Sequence, residues 1–123
     1  YLTLARALHE RGRAVSPAFN FGPPPEQAAT VGEVVEGFVR HWGRGAKWKH
    51  RRIAGAPHEA GLLMLDPSRA RHELDWRPRF SLDESLEATS RWYRSFASGA
   101  GGAQMLALTR EQINEFTSPP IPF

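Results

Sequence analysis

The sequence predicts an α/β fold in which short strands are covered by amphipathic helices. Segments with apolar residues at three- and four-residue steps indicate helices, and they alternate with short apolar stretches that are typical of strands. Several helical segments contain the Ser/Thr-x-x-Glu/Gln pattern of a capping box. Clusters of glycine and proline separate the segments. Together these observations favour parallel or mixed strands joined by helices.

The N-terminal part supplies one helix and one strand. The helix covers residues 1–11 with a stripe of leucine and alanine, and Gly12 is the residue type that favours a helix C-terminus. A strand is predicted at Ala18–Phe21, since Gly22 and three consecutive prolines stop it. The helix contains no start signal of its own, which indicates that it is the end of a longer helix.

The next segment predicts a well-capped helix followed by an edge strand. Thr30 and Glu33 form a capping box, and an apolar face then runs to Trp42 before Gly43. Lys47–His50 alternates cationic residues with the apolar Trp48, which predicts an edge strand with the indole on one face.

The central stretch, residues 57–93, predicts a short strand followed by two helices. Leu62–Leu65 is predicted to be a short strand, and Asp66 then accepts hydrogen bonds at the start of a helix. Pro67 suits this position because proline lacks an N–H group that the first turn leaves unpaired. Ser81 and Glu84 form a second capping box, so another helix is predicted from the following residue.

The C-terminal part predicts a glycine-rich link, a last helix and an extended tail. The link covers residues 98–104 and the helix residues 105–116, in which Thr109 and Gln112 form a third capping-box pattern. Residues 117–123 contain three prolines, which favour an extended tail. Residues 1–97 before the link are predicted to form one lobe.

Composition excludes several classes of protein. The chain has 123 residues, a net charge of +3 and no cysteine, so disulfides and thiol chemistry are excluded. No run approaches the roughly 18 apolar residues of a membrane span, and we expect a cytoplasmic protein without membrane partners. The start inside a helix and the small number of strands predict that these residues are part of a longer protein.

The histidines and glycines do not form a recognised metal or phosphate motif. The five histidines show neither the spacing of helical metal ligands nor a cysteine partner: His9, His41, His50, His58 and His72. The sequence Gly99-Ala100-Gly101-Gly102 lacks the lysine and the preceding strand of a phosphate loop. No metal is therefore expected.

A basic stretch from Arg40 to Arg52 leaves two interpretations open. Its cations and the tryptophans Trp42 and Trp48 are the residue types that bind single-stranded nucleic acid. A solvated edge strand whose tryptophan faces the core explains the same pattern. The alternation favours the second interpretation, so we expect no nucleic-acid partner, with a small basic nucleic-acid-binding module as the alternative.

Five features of the sequence, together with the order of the elements, resemble a known family. The matching features are Phe19-Asn20-Phe21-Gly22-Pro23, the loop Pro57-His58-Glu59-Ala60 before a strand ending in Leu65-Asp66, Trp76-x-Pro78, a capped helix ending in Trp92-Tyr93, and Met105 to Ile113. The chain is similar to the C-terminal part of the extended short-chain dehydrogenase/reductases, the NAD-dependent epimerase/dehydratase family. The resemblance implies the substrate-binding lobe of an extended Rossmann-type enzyme, incomplete without an N-terminal part.

The resemblance also implies a function and candidate site residues. Within the family the chain is most similar to dehydratases that act on CDP-glucose. Such enzymes oxidise the sugar with NAD, eliminate water and return the hydride, as lyases of deoxysugar biosynthesis. The resemblance implies that Asn20, His58 and Glu59 bind the nucleotide-sugar substrate. Without the resemblance, an asparagine that bonds its own turn and a solvated His-Glu pair are the favoured explanations.

The family's cofactor site and catalytic pair do not occur in this sequence. The residues four positions after Tyr1 and Tyr93 are alanines, so neither tyrosine begins the catalytic Tyr-x3-Lys motif. The glycine fingerprint that seats NAD is also missing. We therefore expect no catalytic or cofactor-binding residue here, an inactive isolated chain, and NAD held by an N-terminal part. A possible homo-oligomer is implied for the full-length enzyme.

Overall fold

The computed structural model describes residues 1–15, 18–43, 45–51 and 64–118. Across these ranges the regular secondary structure is helical throughout. The helices are α1 at Leu2–Arg11, α2 at Val31–Trp42, α3 at Ser68–Leu74, α4 at Leu82–Ala97 and α5 at Gly102–Thr117, with short 3-10 turns at Gly12–Ala14 and Pro25–Gln27. None of the described helices is both long enough and apolar enough to cross a membrane.

The predicted strands are wrong wherever the structure describes them. Ala18–Phe21 and Lys47–His50 form no strand, and neither do Met64 and Leu65 at the end of the third predicted strand. The first half of that third strand lies outside the described residues. A strand exists only where a second strand pairs with its backbone N–H and C=O groups, and apolar alternation alone cannot supply that partner. The described residues therefore do not support the α/β prediction.

Two of the predicted capping boxes are confirmed. At the start of α2 the Glu33 N–H donates to Thr30 Oγ1 at 3.3 Å, and the Thr30 N–H donates to Glu33 Oε2 at 2.7 Å. Ser81 and Glu84 repeat the arrangement at the start of α4, with distances of 3.3 and 2.7 Å. The backbone N–H groups of Thr30 and Ser81, followed by their hydroxyls, lower the pKa of Glu33 and of Glu84.

The hydrogen bond of Asp66 at the start of α3 is confirmed, but the helix begins at Ser68, so Pro67 is its N-cap and not its first helical residue. Asp66 Oδ1 accepts a hydrogen bond from the Ser68 N–H at 2.9 Å, as predicted for a helix opened by that carboxylate.

The third capping box is wrong. Helix α5 begins at Gly102, so Thr109 lies inside it and its hydroxyl donates to the Met105 carbonyl at 2.8 Å. The four-residue pattern also fits a helix interior, and only the position of the helix start separates the two cases.

The chain divides into two compact units. The first unit comprises the described residues of 1–28 and 64–78, and the second those of 29–51 and 79–118. The core of the first unit is formed by Ala7, Val15, Ala70 and Leu74. Polar contacts reinforce it, since the Arg11 guanidinium donates to the Glu73 carbonyl at 3.1 Å and Arg69 donates to the Ala18 carbonyl at 3.2 Å.

The second unit is built on close packing between α2 and α4. A Cβ atom placed on Gly37 would lie 2.6 Å from Leu86 Cδ1, so the absence of a side chain allows the two helices to approach. Ser90 is completely buried in this contact and donates to the Phe38 carbonyl at 3.1 Å. The hydroxyl therefore satisfies its hydrogen bond inside the interface.

Several polar contacts join helix α5 to α4. Gln112 Nε2 donates to the Ala88 carbonyl at 2.7 Å, and Trp92 Nε1 donates to the Thr109 hydroxyl at 3.0 Å. The guanidinium of Arg91 reaches two glutamates of α5, and its contact with Glu115 is 2.5 Å long. That hydrogen bond raises the pKa of Arg91 above its ordinary value.

Candidate functional site

Asn20 lies exposed on an aromatic surface of the first unit. The neighbouring rings of Phe19 and Phe21 stack with their centroids 6.4 Å apart. Phe21 also meets Trp76 edge to face at 5.1 Å and Tyr1 at 5.8 Å. These ring contacts fix the backbone on either side of Asn20 while its amide remains accessible to solvent.

Gly22 brings this segment next to the chain that precedes α3. A Cβ atom placed on Gly22 would stand 3.5 Å from the Leu65 Cβ, which is an ordinary van der Waals contact. Residue 65 follows the predicted site residues His58 and Glu59 by only a few positions. Those two residues lie outside the described residues, so their approach to Asn20 stays a prediction.

The described part of this site is suited to binding. An amide offers both donors and an acceptor, which suits hydroxyl groups or the edge of a base. The rings of Phe19, Phe21 and Trp76 provide a rigid apolar support and carry no group that transfers a proton. Asn20 can therefore orient a polar ligand, and the described contacts around it indicate no further chemistry.

A polar groove in the second unit is a feature that sequence reasoning missed. Its volume is about 390 Å³, and its lining consists of His41, Glu87, Arg91, Arg94, Ser95 and Ser98. At one side the Asp83 carboxylate accepts from His41 Nε2 at 2.9 Å and also pairs with Arg40. The partners come from α2 and α4, 42 and 43 residues apart in sequence, so no local pattern could indicate them. Among the described residues no three metal-ligating side chains come together here or elsewhere.

The hydrogen bonds of Asp83 predict how acid affects the second unit. His41 first, and then Arg40, hold the pKa of Asp83 below its ordinary value. A carboxylate with a lowered pKa in the folded state stabilises the fold above its unfolded pKa of about 4, and this stabilisation is lost as the pH falls through the folded value.

We expect Asp83→Asn to weaken the dependence of the melting temperature on pH between about pH 5 and pH 3. Thermal unfolding followed by circular dichroism measures this change. Glu36→Gln is the matched control, because Glu36 is an exposed α2 carboxylate without an ion-pair partner among the described residues. If both substitutions leave the pH profile unaltered, Asp83 does not contribute to acid sensitivity.

Comparison with known proteins agrees with the resemblance seen in the motifs. No protein-family model matches the chain. A curated enzyme of Salmonella typhimurium is 35% identical to it over 120 residues, which is 96% of the chain and 32% of that enzyme. That enzyme is a CDP-glucose 4,6-dehydratase. The chain therefore resembles a C-terminal fragment of this dehydratase, as its motifs predicted, and spans about a third of its length.

The residues present do not fit the family's nicotinamide cofactor. Gly99 and Gly101 lie between α4 and α5 and Gly102 begins α5, whereas the pyrophosphate fingerprint follows a strand. Tyr93 lies within α4 and is followed four positions later by alanine instead of lysine. No step of cofactor chemistry is therefore assigned to this chain.

Proposed function

We propose that this chain forms the substrate-side part of a nucleotide-sugar dehydratase. The whole enzyme would convert CDP-glucose to CDP-4-keto-6-deoxyglucose, an intermediate for deoxysugars and cell-surface polysaccharides. The observation that carries this proposal is the 35% identity to the dehydratase, because the match extends over 96% of the chain.

In this proposal Asn20, His58 and Glu59 line the nucleotide pocket. The Glu59 carboxylate accepts hydrogen bonds from ribose hydroxyls, and the His58 imidazole donates to a phosphate or stacks on the base. Asn20 contacts the sugar nucleotide from the aromatic surface. The close approach of Gly22 to Leu65 supports this arrangement, since it joins the segment of Asn20 to the segment that follows His58 and Glu59.

The reactive half of the enzyme is proposed to lie outside these residues. NAD and the Tyr-x3-Lys pair would be supplied by the part of the enzyme that corresponds to the rest of the dehydratase. The chain alone is then inactive, and the full-length enzyme is cytoplasmic and a candidate homo-oligomer. A rival within the same class is an epimerase or dehydratase that uses a different nucleotide.

Calorimetric titration of the chain with CDP-glucose tests the proposal. We expect measurable binding, and we expect Glu59→Ala to weaken it at least about tenfold because a charge-assisted hydrogen bond is lost. Glu10→Ala is the control, since Glu10 is an exposed glutamate of α1 in the first unit and lies outside the site motifs.

Parallel titrations with UDP-glucose and dTDP-glucose separate the rival. If either of these sugar nucleotides binds more tightly than CDP-glucose, that nucleotide is the substrate and the proposed enzyme class is unchanged. Equal affinities for the parent chain and for Glu59→Ala would remove Glu59 from the pocket. Absence of binding to all three sugar nucleotides would contradict the proposed function.

A further inference from the structure

Five consecutive residues of the second unit form an exposed cationic surface. This basic segment is defined here as Lys47, Trp48, Lys49, His50 and Arg51, all of which are exposed. None of its cationic side chains has a hydrogen bond or an ion pair with another described residue. The sequence contains no acidic residue between Glu36 and Glu59, so the neighbouring chain supplies no compensating charge either.

The arginines elsewhere in the same unit contrast with this segment. Four of them have partners: Arg40 pairs with Asp83, Arg79 donates to the Ser118 carbonyl, Arg91 pairs with Glu111 and Glu115, and Arg94 donates to the His41 carbonyl. Arg110 is the exception among the described arginines of the unit that lie outside the basic segment. Within the described part of this unit, unpaired positive charge is thus concentrated in the basic segment, whose cations form no ion pair with a described carboxylate.

Trp48 gives this surface a second property. The sequence favoured an edge strand with the indole turned to the core, but no strand forms and Trp48 is 40% exposed. The tip of its ring lies 4.0 Å from the position of a Cβ atom on Gly32, at the first turn of α2. One edge of the indole is therefore held against the helix while much of the ring remains accessible.

We propose that the basic segment binds the backbone of a single-stranded nucleic acid. Lys47, Lys49 and Arg51 would neutralise phosphates, and the Trp48 ring would stack on a base. An acidic protein surface would satisfy the same cations but would leave the exposed indole without a stacking partner. This function lies beyond the proposed enzymatic one and uses residues of the other unit.

Fluorescence anisotropy with a labelled 12-nucleotide oligothymidylate tests the electrostatic part. Neutralisation of three phosphates gives a slope of log K against log salt of about −2 for single strands. We therefore expect the affinity to fall roughly fifteen- to twentyfold between 50 and 200 mM salt. A salt-independent affinity, or no binding at low salt, would overturn the proposal.

A charge-matched pair of triple variants tests the location. Lys47→Gln/Lys49→Gln/Arg51→Gln is expected to abolish both the binding and its salt dependence. Arg6→Gln/Arg13→Gln/Arg71→Gln removes the same charge from exposed positions of the first unit and is expected to leave binding within about twofold. Equal losses in the two triple variants would show that net charge, and not this segment, attracts the oligonucleotide.

Trp48→Leu tests whether bases are recognised in addition to phosphate. Loss of one stacked base predicts about a tenfold weaker affinity for oligothymidylate and an unchanged affinity for inorganic polyphosphate. If the affinity for both polymers is unchanged, the basic segment recognises phosphate alone, and the nucleic-acid assignment is overturned. Asn20→Ala should leave oligonucleotide binding unaltered, so this test and the CDP-glucose titration can fail separately.

Discussion

Gly37→Leu is expected to destabilise the second unit by about 2–3 kcal/mol, the cost of overpacking a tight interface. Even a Cβ atom at this position would lie 2.6 Å from Leu86 Cδ1, and the remaining leucine atoms extend further towards α4. Leucine favours a helix more than glycine does by roughly 0.8 kcal/mol, so any measured loss reflects packing and not helix propensity. Urea denaturation followed by circular dichroism measures the change in free energy of unfolding.

Two further variants isolate the packing term. Glu36→Leu places the same side chain on an exposed face of the same helix and should change stability by no more than about 0.5 kcal/mol. Combining Gly37→Leu with Leu86→Ala makes room for the new side chain, and we expect the double variant to lose less than the sum of the single losses. Equal stabilities of Gly37→Leu and Glu36→Leu would mean that α2 and α4 do not pack closely at Gly37.

Trp76→Ala is expected to destabilise the first unit by about 2–4 kcal/mol. This value is at or below the usual cost of removing a large aromatic core residue, because the indole is only partly buried. The indole packs against the core of this unit and meets the Phe21 ring at 5.1 Å. Its removal takes away one of the two edge-to-face contacts of Phe21, the other being with Tyr1, and loosens the segment that carries Asn20. We therefore expect weaker CDP-glucose binding together with a lower melting temperature.

Trp76→Phe and Trp48→Ala are the controls for this experiment. Trp76→Phe keeps an aromatic ring next to Phe21 and should retain most of the stability and of the ligand affinity. Trp48→Ala removes an indole from the other unit, so CDP-glucose binding should be unaffected. If Trp76→Ala binds CDP-glucose as tightly as the parent chain, the aromatic surface does not position the pocket.

The sequence predicted the helices well because their signals are local. The capping boxes at Thr30 and Ser81 need only four consecutive residues, and both form as expected. The strands could not be predicted in the same way, since Ala18–Phe21 has the right residue types but no paired strand among the described residues. The capping-box pattern at Thr109 failed for another reason. The pattern is present in the sequence, but the helix begins earlier, at Gly102, so Thr109 lies in its interior.

Sequence motifs predicted candidate residues of the site but not the contacts that distant parts of the chain make with them. The motif around Asn20 indicated the residue but not the ring contacts with Trp76 and Tyr1, which depend on distant parts of the chain. The contact of His41 with Asp83 joins residues 42 positions apart, so no local sequence pattern could predict it. The exposure of Trp48 was misjudged for a related reason, because its burial had been inferred from a strand that does not form.

The central claim is that the segments containing Asn20 and the His58-Glu59 pair form one nucleotide-sugar pocket. The most direct measurement is a titration of the isotope-labelled chain with CDP-glucose, followed residue by residue in nitrogen–proton NMR spectra. We expect the amide signals of residues 19–22 and 58–61 to shift together with a single dissociation constant, while those of α5 stay in place. Shifts confined to other residues, or different dissociation constants for the two segments, would contradict the account.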